Sequence, residues 1–264
     1  MDVKENFMKW DNPGRALITG ASSGIGAEFT RQLAEQGFDL ILVARRIDRL
    51  ETLSQNLSKN YHIKAEILIA DLSKPEEIKK VTAKILDTDD LDILINNAGF
   101  GIKTPFLERE YKQNADMINV HYTSPVMFCH AAIQGMKKRN RGVIINNASL
   151  KAITRTSVMY SSTKAALTIF SEALKSEVRR TGINIQALCP GFTYSEFHDT
   201  DSMSGFSREF YSKMPWMSAE EVVTLSLNAV KNRDVLFIPG EENRVLAKGV
   251  RKTTLKKYIN CKKF

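Results

Sequence analysis

A chain of 264 residues with a formal charge of +8 can bury a sizeable core, and an α/β chain of this size is expected to fold as one domain over residues 1–264. The charge does not mark a nucleic-acid binder, because the excess sits in the last 20 residues and the remainder is close to neutral. Three widely spaced cysteines, Cys129, Cys189 and Cys261, exclude a disulfide scaffold and show no metal-ligand spacing; with no signal peptide and no span of roughly 20 apolar residues, they point to the cytoplasm.

A first strand at RALITG (15–20) runs into the loop TGASSGIG, Thr19 to Gly26, and then a helix over 24–37. In such a loop Gly20 permits the tight turn, Gly24 lets backbone approach a phosphate, and Gly26 brings the helix against the strand, so that free helix-start amides face the anion. Placed between strand and helix, the G-x-x-x-G-x-G spacing reads as a dinucleotide site rather than a plain turn. The second strand, FDLILVA (38–44), ends in LVARR: Ala44 stands where an acid would grip the ribose hydroxyls of NAD, and Arg45 and Arg46 follow. A guanidinium bonds a 2′-phosphate that a carboxylate would repel, so NADP(H) is the expected cofactor, with Arg45 the favoured binder and the other arginine solvated.

Further strands are expected at KAEILIA (64–70), LDILIN (91–96), GVIINNAS (142–149), INIQALC (183–189) and VLFIP (235–239), and helices over 47–60, 75–87, 109–139, 157–181 and 218–231. The near-continuous apolar runs of the central strands require burial on both faces, as in a parallel sheet covered by crossover helices. This βαβ repetition predicts a doubly wound three-layer α/β/α sandwich, with ligands beyond the carboxyl ends of its strands. Residues 193–217 form an insertion rich in large apolar side chains, with Phe206, Phe210 and Met214 at i, i+4 spacing; they dock a short helix on the core or line an apolar pocket. The final segment, 245–264, holds Lys248, Arg251, Lys252, Lys256, Lys257, Lys262 and Lys263 and no acid. A solvated tail is expected there, with a weak membrane-surface contact as the other reading.

Within the helix over 157–181, YSSTK sets Tyr160 and Lys164 four residues apart, on one helix face. On spacing alone they are a packed ring with a solvated ammonium, or an acid/base pair. Their context favours the pair. TGASSGIG, NNAG (96–99), the Asn of MINV (Asn119), NNAS ending at Ser149, YSSTK and CPG (189–191) occur in the order seen in short-chain dehydrogenases/reductases, which the chain resembles over about residues 14–240.

The resemblance implies a Rossmann-type fold with seven parallel strands in the order 3-2-1-4-5-6-7 and a substrate lid at 193–217. It implies Tyr160 as acid/base, Lys164 as the group that lowers its pKa and holds the nicotinamide ribose, Ser149 as the hydroxyl that polarises the carbonyl, and Asn119 as the anchor of a proton-relay water. For the cofactor it implies Gly20, Ser22, Ser23, Gly24, Ile25 and Gly26 in the glycine loop, Arg45 and Arg46 after the second strand, and Asp71 and Leu72 near the adenine. Asn97, Ala98 and Gly99 would line the adenosine ribose, and Pro190, Gly191 and Thr193 would lie beside the nicotinamide. Ser149 precedes Tyr160 by 11 residues, slightly fewer than the family usually shows. Because NNAS closes the fifth strand, the shortening is placed in the loop LKAITRTSVM, and Ser149 is preferred to Ser157; Asn147 carries no hydroxyl.

The expected activity is NADP(H)-dependent interconversion of a ketone and a secondary alcohol on a hydrophobic, steroid-like or fatty-acyl substrate. A 3-oxoacyl-type reductase and a catalytically silent NADP-sensing protein are the alternatives, and a homodimer or homotetramer through the two long helices is expected. Lys151 and Arg155, with no acid nearby in sequence, are solvated charges or readers of an anionic group on the substrate.

Overall fold

A computed structural model describes the backbone of residues 7–260 and the side chains of residues 7–250. In chain order it contains β1 (Arg15–Thr19), α1 (Gly24–Glu35), β2 (Asp39–Ala44), α2 (Ile47–Tyr61), β3 (Ala65–Ile69), α3 (Pro75–Leu86), β4 (Leu91–Asn96), α4 (Tyr111–Ile118), α5 (Ser124–Arg139) and β5 (Gly142–Asn147). There follow α6 (Lys151–Thr154), α7 (Val158–Val178), β6 (Ile183–Leu188), β7 (Phe192–Tyr194), β8 (Trp216–Ser218), α8 (Ala219–Val230), β9 (Leu236–Phe237) and α9 (Glu241–Asn260).

The apolar runs pair in parallel into a seven-stranded sheet of order β3-β2-β1-β4-β5-β6-β9, the order the resemblance implied, with β9 as its seventh strand. β4, β5 and β6 are buried at every position, which requires helices on both faces. Phe29, Leu33 and Leu227 pack one face, and Val81, Phe128 and Met136 pack the other. Strand order reverses direction between β1 and β4, and the crevice beyond their carboxyl ends is where an open α/β sheet takes a ligand.

Three expectations about local structure change. The helix over 109–139 is two helices, α4 and α5, joined by a π-helical turn at Asn119–Thr123. Pro125, in the first turn of α5, has no N–H to continue the ladder, so the Ser124 N–H closes the wider loop onto Asn119 O. The insertion is not helical at Phe206, Phe210 and Met214, and Phe210 stands 81% exposed. Gly205 at φ +78° and Pro215 bracket that stretch, leaving turns, while its ends form the parallel pair β7 and β8. The basic segment is helical as far as Asn260, where only a tail was expected. Cys261, Lys262 and Lys263 lie outside the described residues, as do the side chains of Arg251, Lys252, Lys256 and Lys257. Among the described residues no helix is long and apolar enough to cross a membrane.

Candidate active site

The carboxyl ends of the central strands open onto one cavity of about 1310 Å³ that runs from the glycine loop to the 193–217 insertion. All the residues assigned to catalysis or the cofactor from the sequence border it except Gly26 and Asn119. Gly26 instead lets α1 approach the loop, since a Cβ there would collide with Gly20 O and the Asn97 amide. The Asn119 side chain donates to Ser73 O at 3.0 Å, tying the π turn to the loop after β3.

At the glycine-loop end, Gly24 adopts φ +54°, a conformation an L side chain rarely takes. Arg46 Nη2 donates to Ser22 Oγ at 3.1 Å and to Ser23 Oγ at 3.0 Å, while its Nη1 reaches Glu196 Oε2 at 3.1 Å. Arg49, one turn into α2, donates to the other Glu196 oxygen, and these bonds hold the Glu196 carboxyl below the usual range. The guanidinium bonded to the loop hydroxyls is Arg46, while Arg45, which borders the same cavity, acts on Asp71. Burial works to raise the Asp71 carboxyl, but bonds from the Ser73 N–H and hydroxyl, with the Arg45 and Lys74 charges, hold it low. Two guanidiniums, two hydroxyls and a glycine cradle suit a phosphorylated dinucleotide. Arg49 was readable as i+3 from Arg46; Glu196 had no sequence signal.

At the other end a chain of amides sets the floor. Asn97 Nδ2 donates to Thr19 O at 3.0 Å, and Asn147 Nδ2 donates to Asn97 Oδ1 at 2.8 Å. Lys164, 3% exposed, donates to Asn147 O at 2.7 Å. Tyr160 stands above it, edge-on to His121 with ring centroids 5.3 Å apart and to Phe197 at 5.9 Å. Burial pushes the Tyr160 phenol up to about 12, while a hydrogen bond with the Ser149 side chain acts the other way. Burial thus prevails over the Ser149 bond, and the Lys164 ammonium, 5.8 Å from the Tyr160 ring centroid, is directed at Asn147 O. Ser149, not Ser157, is the hydroxyl at the phenol; the Ser157 N–H donates to Ser161 Oγ at 3.1 Å at the start of α7.

Sequence reading missed two buried residues here. His121 Nε2 accepts the Phe100 N–H at 3.0 Å, so its proton is on Nδ1, which donates to Thr163 Oγ1 at 3.0 Å; burial holds this ring well below its ordinary pKa. Asn243, 1% exposed, fills the space beside Gly191 and donates to Pro239 O at 3.0 Å. Over the cavity, Phe197, Met203, Phe206, Tyr211 and Met214 line the insertion's inner face, and His198 stacks on Phe206 at 4.3 Å.

Burial also lowers the Lys164 ammonium from its ordinary 10.5 to about 8. Between those values the unfolded chain binds more protons than the folded one, so this group's contribution to stability rises with pH across that window and is lost as pH falls through it. The thermal midpoint of the wild type, measured against Lys164→Met, is expected to climb from pH about 8 to about 10.5. A difference that stays flat with pH contradicts the burial of a titrating ammonium.

Residues 15–203 match the sequence profile described as short chain dehydrogenase. The chain belongs to this oxidoreductase family. Inactive hydroxysteroid dehydrogenase-like protein 1 of Homo sapiens is 29% identical to this short-chain dehydrogenase over 220 residues, covering 82% of this chain and 63% of that protein. Very-long-chain 3-oxoacyl-CoA reductase of Vanderwaltozyma polyspora is 32% identical over 201 residues, covering 69% of this chain and 57% of that one. The chain thus spans less than two thirds of the length of these two curated relatives. A short-chain dehydrogenase from Sphingobium yanoikuyae, solved in complex with NADPH, has a TM-score of 0.81 and 28% identity over 93% of this chain and 96% of that one.

Proposed function

We propose that this short-chain dehydrogenase is an NADP(H)-dependent enzyme that interconverts a ketone and a secondary alcohol on a bulky, largely apolar substrate. The observation that carries the reading is one cavity with Arg46, Ser22 and Ser23 at one end and Ser149, Tyr160 and Lys164 at the other. The glycine loop and the first turn of α1 would hold the pyrophosphate, and Arg46 with Arg49 the 2′-phosphate. The bound cofactor supplies or accepts the hydride.

The chain's own part is proton and charge management. Tyr160 is protonated at neutral pH, the form needed to deliver a proton to a carbonyl oxygen during reduction. Ser149 donates a hydrogen bond to the negative charge developing on that oxygen. Lys164 sets its ammonium on Asn147 O, 5.8 Å from the Tyr160 ring centroid, and Asn119 supports the site at one remove by fixing the π turn that carries His121. The aromatic inner face of the insertion favours a large apolar substrate. Buried, unpaired Cys129 and Cys189 support a reducing, cytoplasmic setting, and exposed Tyr111, Val158 and Ile169 on α4 and α7 support assembly through those helices.

A second reading, a dinucleotide-binding protein without catalysis, draws support from the relative named inactive. Against it stands the complete Ser149, Tyr160 and Lys164 set, which binding alone does not require. The cofactor half of the proposal is tested by fluorescence titration. Arg46→Ala is expected to weaken NADPH binding by about tenfold or more and NADH binding very little, because it removes charge-assisted bonds to the one phosphate that distinguishes them. Wild-type protein that binds NADH as tightly as NADPH overturns the assignment.

A further inference from the structure

We infer that the substrate carries an anionic group, a carboxylate or its equivalent, within a few carbon atoms of the reacting carbonyl, and that Lys151 binds it with His198 as a second polar partner. This deepens the oxidoreductase reading and rests on it for the identity of the reacting carbon.

Lys151 opens α6 two residues after Ser149, and its N–H donates to Ser149 Oγ at 3.2 Å, so the two side chains are set by one turn. Its Nζ lies over the Tyr160 ring, 5.9 Å from the centroid, and the residue is half-buried on the cavity wall. The carboxylates on the same wall are engaged elsewhere: Glu196 with Arg46 and Arg49, Asp71 with Ser73, and Asp116 with Lys112. Among the described residues no carboxylate pairs with Lys151. Burial accordingly lowers its pKa. A partly desolvated ammonium without a counter-ion is costly, and an incoming anion offsets that cost where water is scarce.

His198 borders the cavity from the insertion. Its Nδ1 is buried with no hydrogen-bond partner, and its ring is held against Phe206, Phe197 and Trp216. Burial, with the Arg208 and Lys151 charges, brings its pKa to about 4, so near neutrality it is an uncharged imidazole, and Nε2, not the enclosed Nδ1, is the nitrogen able to offer an N–H to an anion. Arg155, the other cation of this loop, is exposed, adopts φ +55° and does not border the cavity, which removes it as the reader.

The position also limits what the anion is. A cation against the Tyr160 ring meets a charge near the carbonyl that Tyr160 serves. The phosphates of a coenzyme A thioester, separated from the acyl carbonyl by the whole pantetheine arm, are too distant. An oxo acid with a bulky apolar end has the required form.

The test compares benzoylformate and benzoylpropionate with their methyl esters, using NADPH, in wild type, Lys151→Ala and Lys151→Arg. Wild type is expected to favour the acids in kcat/KM, and Lys151→Ala to lose about tenfold or more on the acids relative to the esters, chiefly through KM, as loss of a charge-assisted bond does. Lys151→Arg is expected to restore most of the preference. Equal losses on acid and ester, or a wild-type preference for the esters, overturn the inference. If neither acid nor ester is turned over, calorimetric binding of the acids to the NADPH-loaded protein decides the inference separately from the activity. Binding that Lys151→Ala abolishes supports it, whereas absent binding or binding indifferent to Lys151→Ala overturns it.

Discussion

Tyr160→Phe is expected to cut kcat by about a thousandfold while NADPH affinity stays close to that of wild type, in keeping with the size of a general-acid contribution. The substitution keeps the ring, and with it the edge contacts to His121 and Phe197, so the cavity wall is preserved. What it removes is the hydroxyl held near Ser149, whose high pKa makes it a proton donor at neutral pH. Steady-state kinetics with parallel cofactor titration separate the two effects. A variant that retains more than about a tenth of wild-type kcat shows that the proton comes from elsewhere, since a true general acid is worth far more.

Ser149→Ala is expected to lower kcat by about a hundredfold, the usual effect of deleting one donor to a developing oxyanion. Ser157→Ala, whose side chain makes no capping bond to α7, is expected to leave kcat near wild type. The comparison matters because the short Ser149 to Tyr160 spacing makes the preference for Ser149 over Ser157 rest on where the loop is shortened. In Ser149→Ala/Tyr160→Phe the losses should fall well short of the product of the single effects, because the two groups act on the same oxygen. If Ser157→Ala proves the more damaging single change, the hydroxyl has been assigned to the wrong residue.

The sheet was legible because β4, β5 and β6 announce burial on both faces through unbroken apolar runs, and the glycine loop marks where the first strand meets a helix. Which arginine bonds the glycine-loop hydroxyls was not. It depends on the direction in which the chain leaves β2, and only Arg46, at the start of α2, returns to Ser22 and Ser23. Glu196 comes from 150 residues beyond Arg46, and no local pattern announces such a partner. In the long helix the apolar period passes through Asn119–Thr123 unaltered, so the π turn was hidden, although Pro125 was a visible warning. The stripe Phe206, Phe210, Met214 has helical spacing without a helix, because Gly205 and Pro215 stand at its ends, and Phe206 and Met214 line the cavity instead. For the Tyr160 phenol, spacing reveals the neighbouring Lys164, whereas the burial that raises its pKa depends on the whole cavity.

The oxidoreductase assignment is tested most directly by following consumption of NADPH, through the near-ultraviolet absorbance of its reduced ring, across a panel of bulky apolar ketones and oxo acids with wild type and Tyr160→Phe side by side. The predicted result is turnover of at least one member by wild type, slower turnover with NADH, and none above background with Tyr160→Phe. NADPH binding without consumption of any member, or consumption that Tyr160→Phe leaves intact, would contradict it.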